Sequence, residues 1–464
     1  MKIKRIMSVI LSIILCFSAC MVVLAEEDEV DLAIMNGCHS IDGGMSFLGQ
    51  DQLIENAKSV FLFETNSETL MYAYNADVQM YPASLVKIMT ALIVLEQAAL
   101  SDTVTVTASA LGAVSSDAVS ADLQEGERLT VEQLLYCMLV RSANDAAAVL
   151  AEHIAGSQTA FVELMNSRAQ ELGCTGTTFT NAHGLHNDLQ LTTARDVCRV
   201  LMQALKHETF RDAFGAEYYT VEKTNLHEER NYTTNNYLMN TDVVSIHYDE
   251  RVTGGRSGET ADGYRCIATT SQQGNMELIC IVLGSRSTYL DDGYSIDKYG
   301  GCPETSKLLD LGYSGYSRQQ IIYKNQILRQ QPVLNGDCDV FVASNEDFST
   351  VLPEGFNFDQ LTFRFTDVPG STQAPVSKGQ NMAALQVWYG PMCVAQTDLY
   401  AMNDVPVAFA KTVPLDTQQQ SGSWVKAALT VLVIVVVAGL MAVLVLRVRN
   451  TVFNKNRKKN KRRH

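Results

Sequence analysis

The sequence predicts an α/β (α+β) domain with a helical lobe and an antiparallel sheet, followed by a smaller all-β domain and a C-terminal transmembrane helix. Three observations carry this. Two short apolar runs about a turn are followed by a block of helical periodicity and then by strand periodicity again, which is how a sheet whose terminal strands pair is written along a chain. Beyond Ser317 only short strand-like runs remain, cut by Gly, Pro and Asn. Near the end stand 20 consecutive residues without a charge. A chain of 464 residues exceeds one core and fits two folded domains with accessory segments.

The N-terminus is an export signal, residues 1–25: Lys2, Lys4 and Arg5 precede an apolar run from Ile6 to Ala25, and Val23 and Ala25 are the small residues a signal peptidase reads. A lipoprotein reading through Phe17-Ser18-Ala19-Cys20 is disfavoured because Phe17 fits poorly and the apolar run continues past Cys20. Residues 26–56 are an acidic lead-in. Ser59–Glu64 and Thr69–Tyr74 about Asn66-Ser67 read as a β-hairpin. Pro82 opens a helix, Lys87 to Leu100 being rich in Ile, Met, Leu and Ala. Val131–Val140, Asn144–Ile154 and Thr159–Leu172 carry apolar residues three and four apart, with Gly156 and Gly173 as stops. Tyr264–Thr270 and Met276–Gly284 read as strands, and Pro303–Leu311 as a closing helix of a domain spanning 57–315.

The β-rich domain, 316–412, is expected to contain strand-like runs at Ile321–Val333, Asp339–Ala343, Gln360–Phe365, Ala383–Tyr389 and Val394–Tyr400. A polar linker, 413–424, leads to the span, 425–446, whose core Ala427–Leu446 reaches ~30 Å at ~1.5 Å per residue, the thickness of a bilayer's hydrocarbon. The basic tail, 447–464, follows at once, which by the positive-inside rule places it in the cytoplasm and the body outside. That position explains the tail's charge without a nucleic-acid partner. Residues 26–424 hold 23 basic against 51 acidic residues, a net −28, so an anionic substrate must be gripped by local cations. Nine cysteines remain after the signal, an odd number without a C-x-x-C pair, so buried thiols are expected rather than a disulfide framework or a zinc ribbon. His183 and His186 lack a zinc site's carboxylate spacing and are read as structural; no metal or cofactor is expected.

The chemistry is read from three short elements. Ser84-Leu85-Val86-Lys87 puts a hydroxyl and an amine on one face at a helix start. A serine is a weak nucleophile until a neighbour takes its proton, which a neutral lysine can do once desolvation or a second cation lowers its pKa from ~10.4. The helix N-terminus offers N–H groups for the oxyanion. Alone this spacing is weak, since on the order of one match arises by chance in a chain this long. Ser142-Ala143-Asn144 between two helices could be mere capping, or could present a hydroxyl and an amide to a pocket. Gly254-Gly255-Arg256-Ser257-Gly258 lies directly before the strand Tyr264–Thr270, where glycines let a ligand backbone approach and Arg256 could grip a carboxylate.

In this order the elements resemble the S-x-x-K, S-x-N and K-T-G triplet of penicillin-binding proteins and serine β-lactamases. Pro82–Glu96, Ser142–Glu152, Leu164–Asn166, Asn181–Leu185, Thr192–Asp196 and Leu283-Gly284 resemble, more specifically, the D-alanyl-D-alanine carboxypeptidase family over about residues 55–315, and the segment Ala374–Gln380 resembles that family's C-terminal domain. The resemblance implies a penicillin-binding/β-lactamase-like fold and a carboxypeptidase acting on peptidoglycan stem peptides that end in D-Ala-D-Ala, with β-lactams as inhibitors. It implies that Ser84 is the nucleophile and Lys87 the proton acceptor, that Ser142 shuttles a proton, and that Asn144 holds the substrate amide. Arg256 and Ser257 would bind the terminal carboxylate beside Gly258, and the N–H groups of Ser84 and Glu259 would form the oxyanion hole. Arg256-Ser257-Gly258 departs from Lys-Thr-Gly, Gly255 replaces an apolar residue, and Glu259–Gly263 is one residue shorter than the pattern, which puts strand register and oxyanion geometry at issue. Two competing readings follow: a β-lactamase, and a catalytically silent wall-binding homologue.

Overall fold

A computed structural model of the chain describes residue 41 and residues 52–241, 246–291, 296–390 and 392–408. The expected hairpin forms at the predicted bounds, as β1 (Ser59–Glu64) and β2 (Thr69–Tyr74). After it come α1 (Val86–Gln97), α2 (Val131–Val140), α3 (Asn144–Ala155), α4 (Gln158–Glu171) and α5 (Ala194–Ala204). The chain then returns to strand as β3 (Val252–Glu259), β4 (Tyr264–Gln273) and β5 (Met276–Arg286), and closes with α6 (Cys302–Gly315). The five strands form one antiparallel sheet in the order β2-β1-β5-β4-β3.

Every residue of β1 is buried because both faces of the sheet are covered. Phe61 and Phe63 of β1, with Ile279, Ile281 and Leu283 of β5, join the core of the helical lobe. The residues between them, Val60, Leu62, Leu278, Cys280 and Val282, pack on the other face with Leu308 and Leu309 of α6. α1 is buried without a break from Val86 to Val94, as befits a helix inside the lobe rather than on its surface. Local chemistry sets the helix ends: Thr130 and Gln133 form a capping box at α2, Ser157 accepts from Ala160 N at α4, and Gly156 ends α3 at φ +76°.

The third motif lies directly before the strand β4, as expected, and is itself part of a strand that the sequence reading did not assign, the edge strand β3. Its register runs unbroken as Arg256↔Ala268, Ser257↔Ile267, Gly258↔Cys266 and Glu259↔Arg265, so the shortened turn after Glu259 leaves pairing intact. Gly255 has a local cause: an added Cβ would come within 2.3 Å of Asn236 Nδ2.

After Gly315 the chain passes at once into the β domain. Ile321–Val333, expected as one strand-like run, is two strands in different sheets, β6 (Tyr316–Ile322) and β7 (Ile327–Gln331); Asn325 turns between them at φ +63°. Then come β8 (Val340–Ala343), β9 (Phe348–Pro353, missed in the sequence), β10 (Leu361–Asp367), β11 (Asn381–Tyr389) and β12 (Met392–Ala401). They form a five-stranded sheet, β7-β8-β12-β11-β10, and a β6-β9 pair about a core of Ile322, Val342, Leu352, Leu385, Val387 and Leu399. Cys137, Cys174, Cys198, Cys266, Cys280 and Cys302 are buried, as expected of the cysteines generally, whereas Cys338 is exposed and Cys393 is disulfide-bonded. Among the described residues no helix is long and apolar enough to cross a membrane. The expected signal, most of the lead-in, the linker, the span and the tail lie outside the described residues.

Candidate active site

Ser84 sits in the 3-10 turn Ala83–Leu85 that leads into α1. The turn is held in an unusual conformation. Ala83 has φ +47°, a region that costs a residue with a side chain about 1–3 kcal/mol, and Ser142 across the site has φ +65°. The Asn181–Leu185 loop braces it: Gly184, at φ +90°, lies so close that a Cβ there would be 2.1 Å from Ala83 O. From the other side β3 approaches, and a Cβ on Gly258 would stand 2.6 Å from Ser84 N. Glycine at 258 is therefore what lets the edge strand reach the turn.

The first two sequence elements converge on the Ser84 hydroxyl, and the third lies against the Ser84 backbone. Lys87 Nζ is 3.3 Å from Ser84 Oγ, and Ser142 Oγ donates to Ser84 Oγ at 3.1 Å. Lys87 also donates to Asn144 Oδ1 at 2.8 Å and to the carbonyl of His183. The lysine is wholly buried, and its pKa lies well below the ordinary value, first because burial penalises the charged form and then because Arg256 is a neighbouring cation; Asp145 opposes the shift. A base whose proton is easily lost thus faces a hydroxyl. His183 is kept neutral by burial and by Lys87, its pKa pushed down to about 4, and its carbonyl rather than its ring contacts Lys87.

Ser84, Ser142 and Asn144 line a cavity of ≈ 460 Å³ together with Ser257, Gly258 and Glu259 of β3. Ser257 Oγ donates to Asn235 O at 3.2 Å. Asn144, expected to hold a substrate amide, already spends Oδ1 on Lys87 and one N–H on Val119 O, at 2.9 Å. Arg256, expected to grip a carboxylate, is wholly buried and does not line the cavity. Its Nη1 reaches only Val140 O at 3.5 Å, and Nε and Nη2 have no hydrogen-bond partner among the described residues.

Sequence reasoning passed over Asp145. Its carboxylate accepts from Ser120 Oγ at 2.6 Å, from Ala121 N at 2.9 Å and from Leu123 N at 3.1 Å. With Asn144 it thereby ties down the loop whose Asp117, Ala118 and Val119 form one wall of the cavity. The signal for this role was only that Asp145 follows the second motif. The His183 carbonyl and Arg265, which also lines the cavity, were likewise not singled out.

A hydroxyl held by a depressed-pKa lysine and a second serine, at a turn leading into a helix with an edge strand alongside, is equipped for acyl transfer. Fold and site together define a serine hydrolase. The chain belongs to the D-alanyl-D-alanine carboxypeptidase family, whose model matches residues 49–287, and residues 316–407 match the model of the penicillin-binding protein 5 C-terminal domain. D-alanyl-D-alanine carboxypeptidase DacA of Haemophilus influenzae is 30% identical over 359 residues, covering 75% of this chain and 85% of that protein. DacC of Escherichia coli is 30% identical over 386 residues, covering 80% and 90%. The crystal structure of penicillin binding protein 5 from Haemophilus influenzae superposes with a TM-score of 0.62 at 27% identity, covering 77% of this chain and all of that one.

Proposed function

We propose that this protein is a serine-type D-Ala-D-Ala carboxypeptidase that trims the terminal D-alanine from peptidoglycan stem peptides and is acylated by penicillins. The observation that carries the reading is the convergence of Lys87 Nζ and Ser142 Oγ on Ser84 Oγ at the cavity wall. Ser84 Oγ attacks the penultimate carbonyl as Lys87 takes its proton. The N–H groups of Ser84 and Glu259 hold the oxyanion, and the returning proton reaches the leaving amine through Ser142. Water then cleaves the ester, and the same lysine serves as its base.

The test is release of D-alanine from a synthetic peptide ending in D-Ala-D-Ala, run beside labelling with fluorescent penicillin. The expected result is multiple-turnover release together with a stoichiometric, slowly lost label. Rapid turnover of the drug without D-alanine release would make the protein a β-lactamase, and neither reaction would make it a silent homologue.

We infer further that residues 57–315 form the catalytic domain, that 316–412 form a separate β-rich domain, and that 413–424 link the body to a membrane span at 425–446. The signal is lost after Ala25, and the tail 447–464 is cytoplasmic. The uncharged run and the basic cluster directly after it support this topology. Protease added to cells with a permeabilised wall should digest the body and spare an epitope on the tail; loss of that epitope would refute the orientation.

A further inference from the structure

The peptide in the reading above ends in a carboxylate, and a chain whose body carries a net −28 has to meet it with a local cation. Arg256 is not placed to do so, being wholly buried behind the cavity wall. Among the described residues that line the cavity, Arg265 is the single Arg or Lys. We propose that Arg265, not Arg256, binds the substrate's terminal carboxylate, an inference that rests on the carboxypeptidase reading.

Arg265 lies on β4 directly opposite Glu259 of β3, one residue past the Gly258 that abuts Ser84 N. Residues alternate in direction along a strand and cross-strand partners share a face, so Ser257, Glu259 and Arg265 lie on one face of the sheet, and all three line the cavity. The guanidinium is seated 5.3 Å from the centre of the Tyr299 ring. It already holds a carboxylate there, since Arg265 Nη2 is 2.8 Å from Glu259 Oε2. That contact uses one edge of a five-donor fork, and Nε is buried without an acceptor among the described residues. Glu259, 47% exposed, can turn to solvent cheaply, so an incoming carboxylate exchanges with it rather than meeting a bare charge. The Glu259 backbone N–H stays on β3 whichever way its side chain turns.

The experiment compares kcat/KM of the full chain on a peptide ending in D-Ala-D-Ala as the free acid and as its C-terminal amide. The wild type should prefer the acid. Arg265→Leu should lose about 10- to 100-fold on the acid, chiefly in KM, and change little on the amide. Arg265→Lys should restore part of the preference, and unchanged thermal unfolding midpoints would exclude a folding defect. An equal loss on both substrates, or an acid preference retained by Arg265→Leu, would overturn the proposal. If the wild type releases no D-alanine, the carboxypeptidase reading fails separately, and acylation by a penicillin against its methyl ester reads the same carboxylate preference. A wild type acylated by neither would overturn both.

Discussion

Ser84→Ala should abolish acylation, and Lys87→Met should slow it by at least about 10³-fold. The hydroxyl and its base act as a unit: without Lys87 the proton of Ser84 has no acceptor at 3.3 Å, and without Ser84 the lysine has nothing to activate. Single-turnover labelling by fluorescent penicillin measures both variants; labelling of Ser84→Ala, or labelling of Lys87→Met at the wild-type rate, would contradict the mechanism. In the wild type the acylation rate should fall as pH drops through the lowered Lys87 pKa, because only the neutral amine accepts a proton.

The same variant carries a stability signature. The unfolded lysine titrates near ~10.4, whereas the folded one titrates well below, so between those limits the unfolded chain binds the extra proton. Stability of the wild type therefore rises with pH by about 1.4 kcal/mol per unit in that window. Lys87→Met removes this slope. Its loss of hydrogen bonds to Asn144 and His183 is an offset, while its stability relative to wild type should improve steadily as pH falls. Parallel curves for the two proteins would show that Lys87 is charged in the fold.

What could be read from the sequence was local, and what could not was made by pairing at a distance. Ser84 and Lys87 share a helix face, β1 and β2 flank a turn, and Asn144 starts a helix, so a few neighbouring residues specify each feature. The shape of Asn236 beside Gly255, the His183 carbonyl under Lys87 and the cross-strand place of Arg265 depend on segments dozens of residues away or on the backbone itself. Hydropathy likewise joined β6 to β7, because a turn made by one residue at positive φ leaves little trace in an apolar pattern. Arg256 is the sharpest case. A cation in a glycine-rich edge strand reads as a ligand grip, and only the fold shows that its side chain points into protein.

Arg256 then has another use, and Arg256→Met should expose it. A guanidinium with full burial and no carboxylate partner among the described residues is costly, and burial lowers its pKa to about 9, yet it remains charged at neutral pH. That charge is the second cause, after burial, of the depressed Lys87 pKa. Removing it lets Lys87 keep its proton to higher pH, so acylation at neutral pH should fall about tenfold and recover as pH is raised, with the acid limb of the pH–rate profile displaced upward. The loss should appear equally on substrates with and without a carboxylate, the opposite of the pattern expected for Arg265→Leu. Arg256→Lys should fall between, because a lysine in the same desolvated place gives up its own charge more readily than a guanidinium does. An unshifted profile in Arg256→Met, or a loss confined to carboxylate substrates, would return Arg256 to the role its motif first suggested. With the predicted outcome, the exchange of Lys for Arg in this motif places behind the base a cation that stays charged at neutral pH, and carboxylate recognition falls to the neighbouring strand.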